Sequence, residues 1–443
     1  MSRSSRALTN RATWLLGLAA CGQVSRTTPA DAPSADAAAD LPCEQRAVPC
    51  GGIWAGTGAE GDLDVPAPLD LVAAAFTRPL TVTTIAGSAI GVSARAGHLA
   101  RNDEVVLLYL HGTAGEIDRL GDYETAFVDS VSDTQVVLRA PVQRSYPATS
   151  DAASGSAIVL MRIPQFQTIE IEPQGSLFAT GFDGMVGGVV FLRAQHLEVR
   201  QGGLISMTAA GYRGSAPASN GVSGDSGETY VAGTVHGGPP LRGAGGGGTS
   251  DCDAYSCSSQ SVGAGGGGAG YGAPGAPGAP NGSLQTGGLP GGAYGDGSLS
   301  QLFLGSGGGG GAGGVSGPGS STAGGNGGGI IVIRADTIHI AGGIESNGQP
   351  GSTNDNCSAG NGSGGGGGGA GGTVWLSART LQIEGTIQAI GGGASCHGGG
   401  AGGDGRIRLD FEDINGAAVG SAAAMAAVSA TTMPLPGLVG APQ

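Results

Sequence analysis

The chain has no lysine: all 20 of its Lys and Arg residues are arginine. A P-loop is therefore excluded, because its lysine must reach the phosphates, and so is Schiff-base chemistry. Aromatic residues are scarce at 4%, and hydrophobic residues reach only 39%. With 93 glycines among 443 residues, the chain is too glycine-rich for a conventional core. It is also too rich in β-branched residues for plain disorder. Positive charge is short, with 20 arginines against 34 carboxylates. Nucleic acid and anionic lipid do not hold so acidic a surface, which leaves calcium, cationic polymers or neutral glycans. The six histidines, at 98, 111, 196, 236, 339 and 397, show no pair at metal-ligand spacing.

What the chain does have is a repeat. Ile330–Gly348 (IIVIRADTIHIAGGIESNG) aligns without a gap to Thr373–Gly391 (TVWLSARTLQIEGTIQAIG), 43 residues later. A copy from Val189 carries one extra residue near Gly202, a looser copy starts near Ala157, and a truncated one ends at Arg406–Asp410. Alternation puts Val374, Leu376, Ala378, Leu381, Ile383, Ile387 and Ala389 on one inward side. Their equivalents are Ile331, Ile333, Ala335, Ile338, Ile340, Ile344 and Ser346. Strands this short cannot make an independent hairpin sheet. Stacked as coils at about 4.8 Å, each pairs with its own copies above and below. The predicted fold class is all-β, a parallel β-solenoid of the β-helix type over residues 151–415. A glycine-spaced sandwich is the rival, but only a solenoid keeps a gapless register across unequal insertions.

The glycine lies in the insertions, Gly211–Gly329 and Gly348–Gly372. The triplets of Gly272–Pro280 (GAPGAPGAP) are too few for a triple helix. One reading is disorder, given the entropy that glycine loses on ordering. The other is a packed layer of polyglycine II-like strands, favoured by the apolar residues within Tyr294–Ser306. Residues 66–150 read as a small antiparallel β unit, with strands at Leu80–Ile85 and Glu104–Leu110 and a hairpin over Glu124–Leu138. An exposed coil edge templates aggregation, so capping the open end is its expected job. Residues 416–443 are an Ala-rich tail.

The amino terminus reads as an export signal. Arg3, Arg6 and Arg11 precede the apolar Ala12–Ala20, which is too short to span a bilayer. The segment ends in Leu18-Ala19-Ala20-Cys21, which resembles the lipobox of bacterial lipoproteins. That resemblance implies removal of residues 1–20 as a signal peptide and diacylation of Cys21. More than one acyl chain gives stable anchoring. Gly22 after the cysteine implies sorting to the outer membrane. Residues 21–65 are then the lipidated cysteine and a flexible tether. An even number of cysteines remains, Cys43, Cys50, Cys252, Cys257, Cys357 and Cys396, which suits disulfides in an exported protein. Cys43–Cys50, Cys252–Cys257 and a Cys357–Cys396 staple are the readings, with connectivity open. A zinc site is disfavoured by the spacings.

Other motifs carry less. Gly224-Asp225-Ser226-Gly227 matches the nucleophile tetrapeptide of trypsin-like proteases, but Glu228 follows and no histidine lies upstream in a matching motif. The calcium nonapeptide fails at Gly402–Arg406 and Gly291–Asp296. Asp251, Asp253 and Asp355 leave scattered calcium sites open without clustering an oxygen cage, and no other cofactor or metal is expected. Arg193, Arg334, Glu198 and Glu384 are outward groups on which a carbohydrate-active β-helix enzyme, a lyase or hydrolase, could draw. Ser377 breaks the arginine row. His339 faces outward where Glu198 and Gln382 stand in other coils, as on a solvated face.

YGDGSLSQLFLGSGGGGG, followed by GGNGGGIIVIRA and GGAGGTVWLSA, resembles a largely uncharacterised family of glycine-rich bacterial surface proteins, some of them adhesin-like. The resemblance covers about residues 100 to 412. It implies a solenoid surface protein and supplies no catalytic residues. The expected function is therefore non-enzymatic: a lipid-anchored protein of the bacterial outer membrane and cell surface, used for adhesion or envelope structure. Its expected partners are the membrane, through the anchor, and glycans or other surface proteins. The carbohydrate-active enzyme is the alternative.

Overall fold

Alternating burial in the repeats resolves into paired strands. The computed structural model describes residues 55–93, 96–147, 155–218, 222–236, 239–250, 263–280, 285–313, 322–352, 363–415 and 427–429. Among these there is no α-helix. The chain begins with β1 (Asp62–Val65) and β2 (Pro68–Asp70). It continues through β3 (Leu80–Ala86), β4 (Ala89–Val92), β5 (Glu104–His111), β6 (Tyr123–Val131), β7 (Gln135–Leu138) and β8 (Ala157–Arg162). Long and short strands then alternate: β9 (Gln165–Ile171), β10 (Ser176–Phe178), β11 (Val189–Val199), β12 (Leu204–Ser206), β13 (Ile330–Ile340) and β14 (Gly343–Glu345). The last are β15 (Thr373–Ile383), β16 (Thr386–Gln388), β17 (Arg406–Asn415) and β18 (Ala427–Ser429).

One six-stranded sheet is wholly parallel, in the order β1-β9-β11-β13-β15-β17. The other, β18-β16-β14-β12-β10-β2, is parallel except where β18 runs antiparallel to β16. Each turn of chain gives one strand to each sheet, a solenoid-like arrangement. The gapless alignment is a hydrogen-bonded register, from Ile330 opposite Thr373 to Ile340 opposite Ile383. Val199 faces Ile340 while Leu204 faces Gly343. The turn after β11 is therefore longer by two residues, not the one expected. Every predicted inward residue of these two repeats is buried, and the apolar ones from Val374 to Ile387 belong to one core between the sheets.

Three expectations change. Asp62–Val65, assigned to the tether, is a strand of the first sheet, paired in register with Thr168–Ile171. The small β unit is a closed barrel, β3-β4-β7-β6-β5-β8, which takes Ala157–Arg162 from the loose repeat copy. It is inserted between the first and second turns and does not cap an end. Its core runs on into Val189, Phe191, Ile330, Val332 and Trp375, the outward residues of β11, β13 and β15. The reason lies in those strands: their first halves are apolar on both faces, as strands covered on both sides must be. The Ala-rich tail also contributes β18.

The described parts of the glycine insertions are ordered and bond to one another with a three-residue period. Gly307 and Gly310 donate to Glu228 and Asp225, Gly308 and Gly311 to Gly325 and Thr322, and Gly309 and Ala312 to Gly267 and Ala264. Carbonyls of the same strand accept from Gly245, Gly248, Ser215, Gly364, Gly367 and Ala370. Residues 306–312 thus touch six neighbouring segments and are fully buried. An extended helix of the polyproline II kind has three residues per turn and no internal hydrogen bonds, so each peptide must find a partner in a neighbour. This is polyglycine II-like packing. Glycine is required by the spacing: a Cβ at Gly309 would lie 2.0 Å from the Gly246 carbonyl oxygen.

The GAPGAPGAP strand forms the edge of this bundle. Ala273, Ala276 and Ala279 donate to Asp404, Ala401 and Gly398, and Gly275 and Gly278 donate to Gly291 and Gly288. The third direction faces solvent, where Pro274, Pro277 and Pro280 are exposed. Proline has no N–H to leave unpaired. The triplet closes the lattice rather than beginning a collagen helix.

Candidate functional site

The arginine row is structural. Arg193, Arg334, Ser377 and Asp410 stand in register across β11, β13, β15 and β17. The barrel covers the first of them. Arg193 is 2% exposed and grips Glu104 of β5 through both carboxylate oxygens, with its Nε at 2.6 Å. Gln165 adds a third bond to Glu104 at 2.9 Å. A charge pair this deep survives because it is bidentate and hydrogen-bonded on its remaining side. Arg334 stacks on Trp375 at 4.8 Å, and Arg408 lies over the same indole at 4.5 Å. Burial, and then the like charge of Arg193, pull the Arg334 guanidinium down to about 10. Trp375 Nε1 donates to Asp410 at 2.7 Å. Neither predicted arginine is a free group on an outer face.

The second halves of the long strands are uncovered. Glu170, Glu198, His339 and Gln382 form one outward row. His339 Nδ1 lies 2.8 Å from Glu198, and its Nε2 lies 3.6 Å from Glu384. Gln382 donates to Glu384 at 2.6 Å. Arg200 pairs with Glu170 and Glu172. The structure therefore brings Glu198 and Glu384 together around one histidine, which their spacing in the chain does not suggest.

Ser226 is 1% exposed, and its Oγ accepts from Val235 N at 2.9 Å. Asp225 instead pairs with His236 at 2.8 Å. The Gly-Asp-Ser-Gly sequence closes a loop and does not present a nucleophile to a base. Among the described residues no group of three or more His, Cys, Asp or Glu is placed to hold a metal ion. Cys21, Cys43, Cys50, Cys252, Cys257 and Cys357, with Asp251, Asp253 and Asp355, lie outside the described residues. Cys396 is disulfide-bonded.

Sequence reasoning missed an aromatic cluster where the glycine bundle meets the barrel. Tyr230 and Tyr294 lie 4.4 Å apart by ring centroids, and Phe303 packs on both at 5.1 and 5.2 Å. Tyr271 stacks behind Tyr294 at 4.8 Å, with Arg406 over its ring. The hydroxyls are tied down: Tyr294 to Leu304 O and Ser306, and Tyr271 to Thr373, each at 2.8 Å. Burial raises the Tyr271 phenol to about 12 and the Tyr294 phenol well above its ordinary value, so both stay neutral. A depression of about 520 Å³ opens over Tyr230, Tyr294 and Phe303. The four rings come from positions far apart in the chain. Tyr271, Tyr294 and Phe303 each lie within a few residues of a glycine-rich run in a chain otherwise poor in aromatics, whereas Tyr230 carries no such signal. No protein-family model, no curated protein and no solved structure matches the chain.

Proposed function

We propose that the chain is a lipid-anchored protein of the bacterial outer membrane and cell surface, with a non-enzymatic adhesion or envelope-structural role, belonging with the glycine-rich surface proteins it resembles. In this reading the parallel turns are coils of a β-helix-like solenoid, Cys21 carries the anchor and Cys357–Cys396 staples neighbouring insertions. The observation that carries it is the glycine bundle. A fully bonded lattice with a proline-closed edge is a stiff platform with little charge, suited to display at a surface. The fate of Arg193 also weighs here, because the arginine on which an enzyme of this shape would draw is sealed under the barrel. Cys21→Ala is expected to abolish acyl labelling and to move the protein out of the membrane fraction. Unchanged labelling and fractionation would remove the anchor. The carbohydrate-active alternative would centre on Glu198, His339 and Glu384. Turnover of a polysaccharide panel by the full chain, lost in Glu198→Gln, would replace the present reading.

A further inference from the structure

The depression over the aromatic cluster has the size and the mixed lining of a small-ligand pocket. Its volume of about 520 Å³ falls within the roughly 300–1,000 Å³ usual for small-ligand pockets. Separate parts of the chain form it: Ile117 and Asp118 of the loop after β5, Tyr230, Arg242 with Gly243, and the 292–303 segment. Its floor is preformed, because the Tyr294 hydroxyl is held by Leu304 and Ser306. Gln301 lines it with its amide nitrogen already committed to Asp118 O and Asp122 at 2.9 and 3.2 Å, which turns its oxygen into an acceptor for a ligand. Arg242 is exposed, binds the Tyr230 hydroxyl and has no carboxylate partner among the described residues. A Cβ built on Gly292 meets nothing within 4 Å, so glycine at this lining position keeps the space empty.

Each part selects something. Tyrosine and phenylalanine offer apolar ring surface to the C–H face of a saturated ring. The Arg242 guanidinium, which has no carboxylate partner among the described residues, suits one carboxylate. Gln301 and Asp118 accept from hydroxyls, which an aromatic acid lacks. A strongly charged polyanion is opposed by Asp118 and by the chain's net charge of −14. We propose that this pocket binds a single acidic sugar unit, a hexuronate, as the free sugar or within a glycan. The inference rests on reading the glycine platform as a binding surface. It does not depend on the anchor, so the Cys21→Ala test and the test below fail separately.

The test is titration of the full chain with glucuronate, glucose and benzoate, followed by ligand-observed NMR. Glucuronate is expected to bind most tightly. Arg242→Gln should weaken it at least tenfold while leaving any glucose binding unchanged. Gly292→Leu should abolish binding with the thermal midpoint retained, because the new side chain enters open space. Leu289→Ala, on the same bundle but outside the pocket, should bind as the unaltered chain does. No glucuronate binding, or equal binding by the Arg242→Gln and Gly292→Leu proteins, would overturn the site. Benzoate binding as tightly as glucuronate would overturn the sugar assignment.

Discussion

The coil core and the glycine bundle lie side by side in one chain and are held by opposite means. Between the two six-stranded sheets, side chains do the holding: Ile338, Leu381 and Ile387 are at most 1% exposed and pack in one core. In the bundle there are almost no side chains. Residues 306–312 are as deeply buried, yet their contacts are peptide to peptide. Net, a single hydrogen bond is worth only about 1 kcal/mol, but a bundle strand makes one or two per residue and cannot leave them unmade without a desolvation penalty. A coil can relax around a missing methyl group. The lattice has no space for an added one.

The sharpest way to break this comparison is to add a side chain to the lattice. A Cβ on Gly367 would lie 1.9 Å from the Gly267 carbonyl oxygen. Gly367→Val is expected to leave no soluble folded protein, whereas Gly393→Val, whose Cβ meets nothing within 4 Å, should stay within about 0.5 kcal/mol of the parent. Expression and denaturant unfolding of the two variants check this. The seam between barrel and sheet comes next. Glu104→Ala strands a buried Arg193 and should cost about 3–5 kcal/mol, while Glu104→Leu with Arg193→Met should recover most of it. In the coil, Ile338→Ala should cost about 2–5 kcal/mol and Ile338→Val about 0.5–1.5 kcal/mol, a graded loss that the bundle should not show.

Two smaller effects sharpen the picture. His111, at the end of β5, is buried against Phe182 and Tyr212, and burial lowers its pKa from the ordinary 6.5. The unfolded chain therefore takes up this proton first. The stability contributed by the neutral ring is complete above about pH 6.5 and is lost as pH falls below it. Unfolding midpoints should drop more steeply between pH 7 and 5 in the parent than in His111→Phe. Pro277→Ala should cost least, about 0.4–1 kcal/mol through the unfolded chain. Its new outward amide should exchange freely, while Ala276 and Gly278, bonded to Ala401 and Gly288, remain protected.

The repeated turns were legible because alternation encodes facing, and the gapless alignment of Ile330–Gly348 with Thr373–Gly391 encodes register. The barrel's position was not, although Val189, Phe191, Ile330, Val332 and Trp375 carried the signal. Apolar residues on both faces of a strand call for a second cover. Arg193 misled for the same reason: its partner Glu104 lies 89 residues upstream. The order of the glycine was legible from its embedded apolar residues. Its neighbour relations were not, since glycine carries no side-chain pattern to align. The aromatic pocket was hidden because residues 230, 271, 294 and 303 meet only through that lattice.

Hydrogen exchange of the native chain tests the central claim most directly. If the glycine insertions form a bonded lattice, amides of Gly307–Ala312 should be protected to a degree comparable with Ile331–Ile333 of β13, because both bond to neighbours in the buried interior. Exchange of Gly307–Ala312 at the rate of an unstructured peptide, with β13 still protected, would contradict the account.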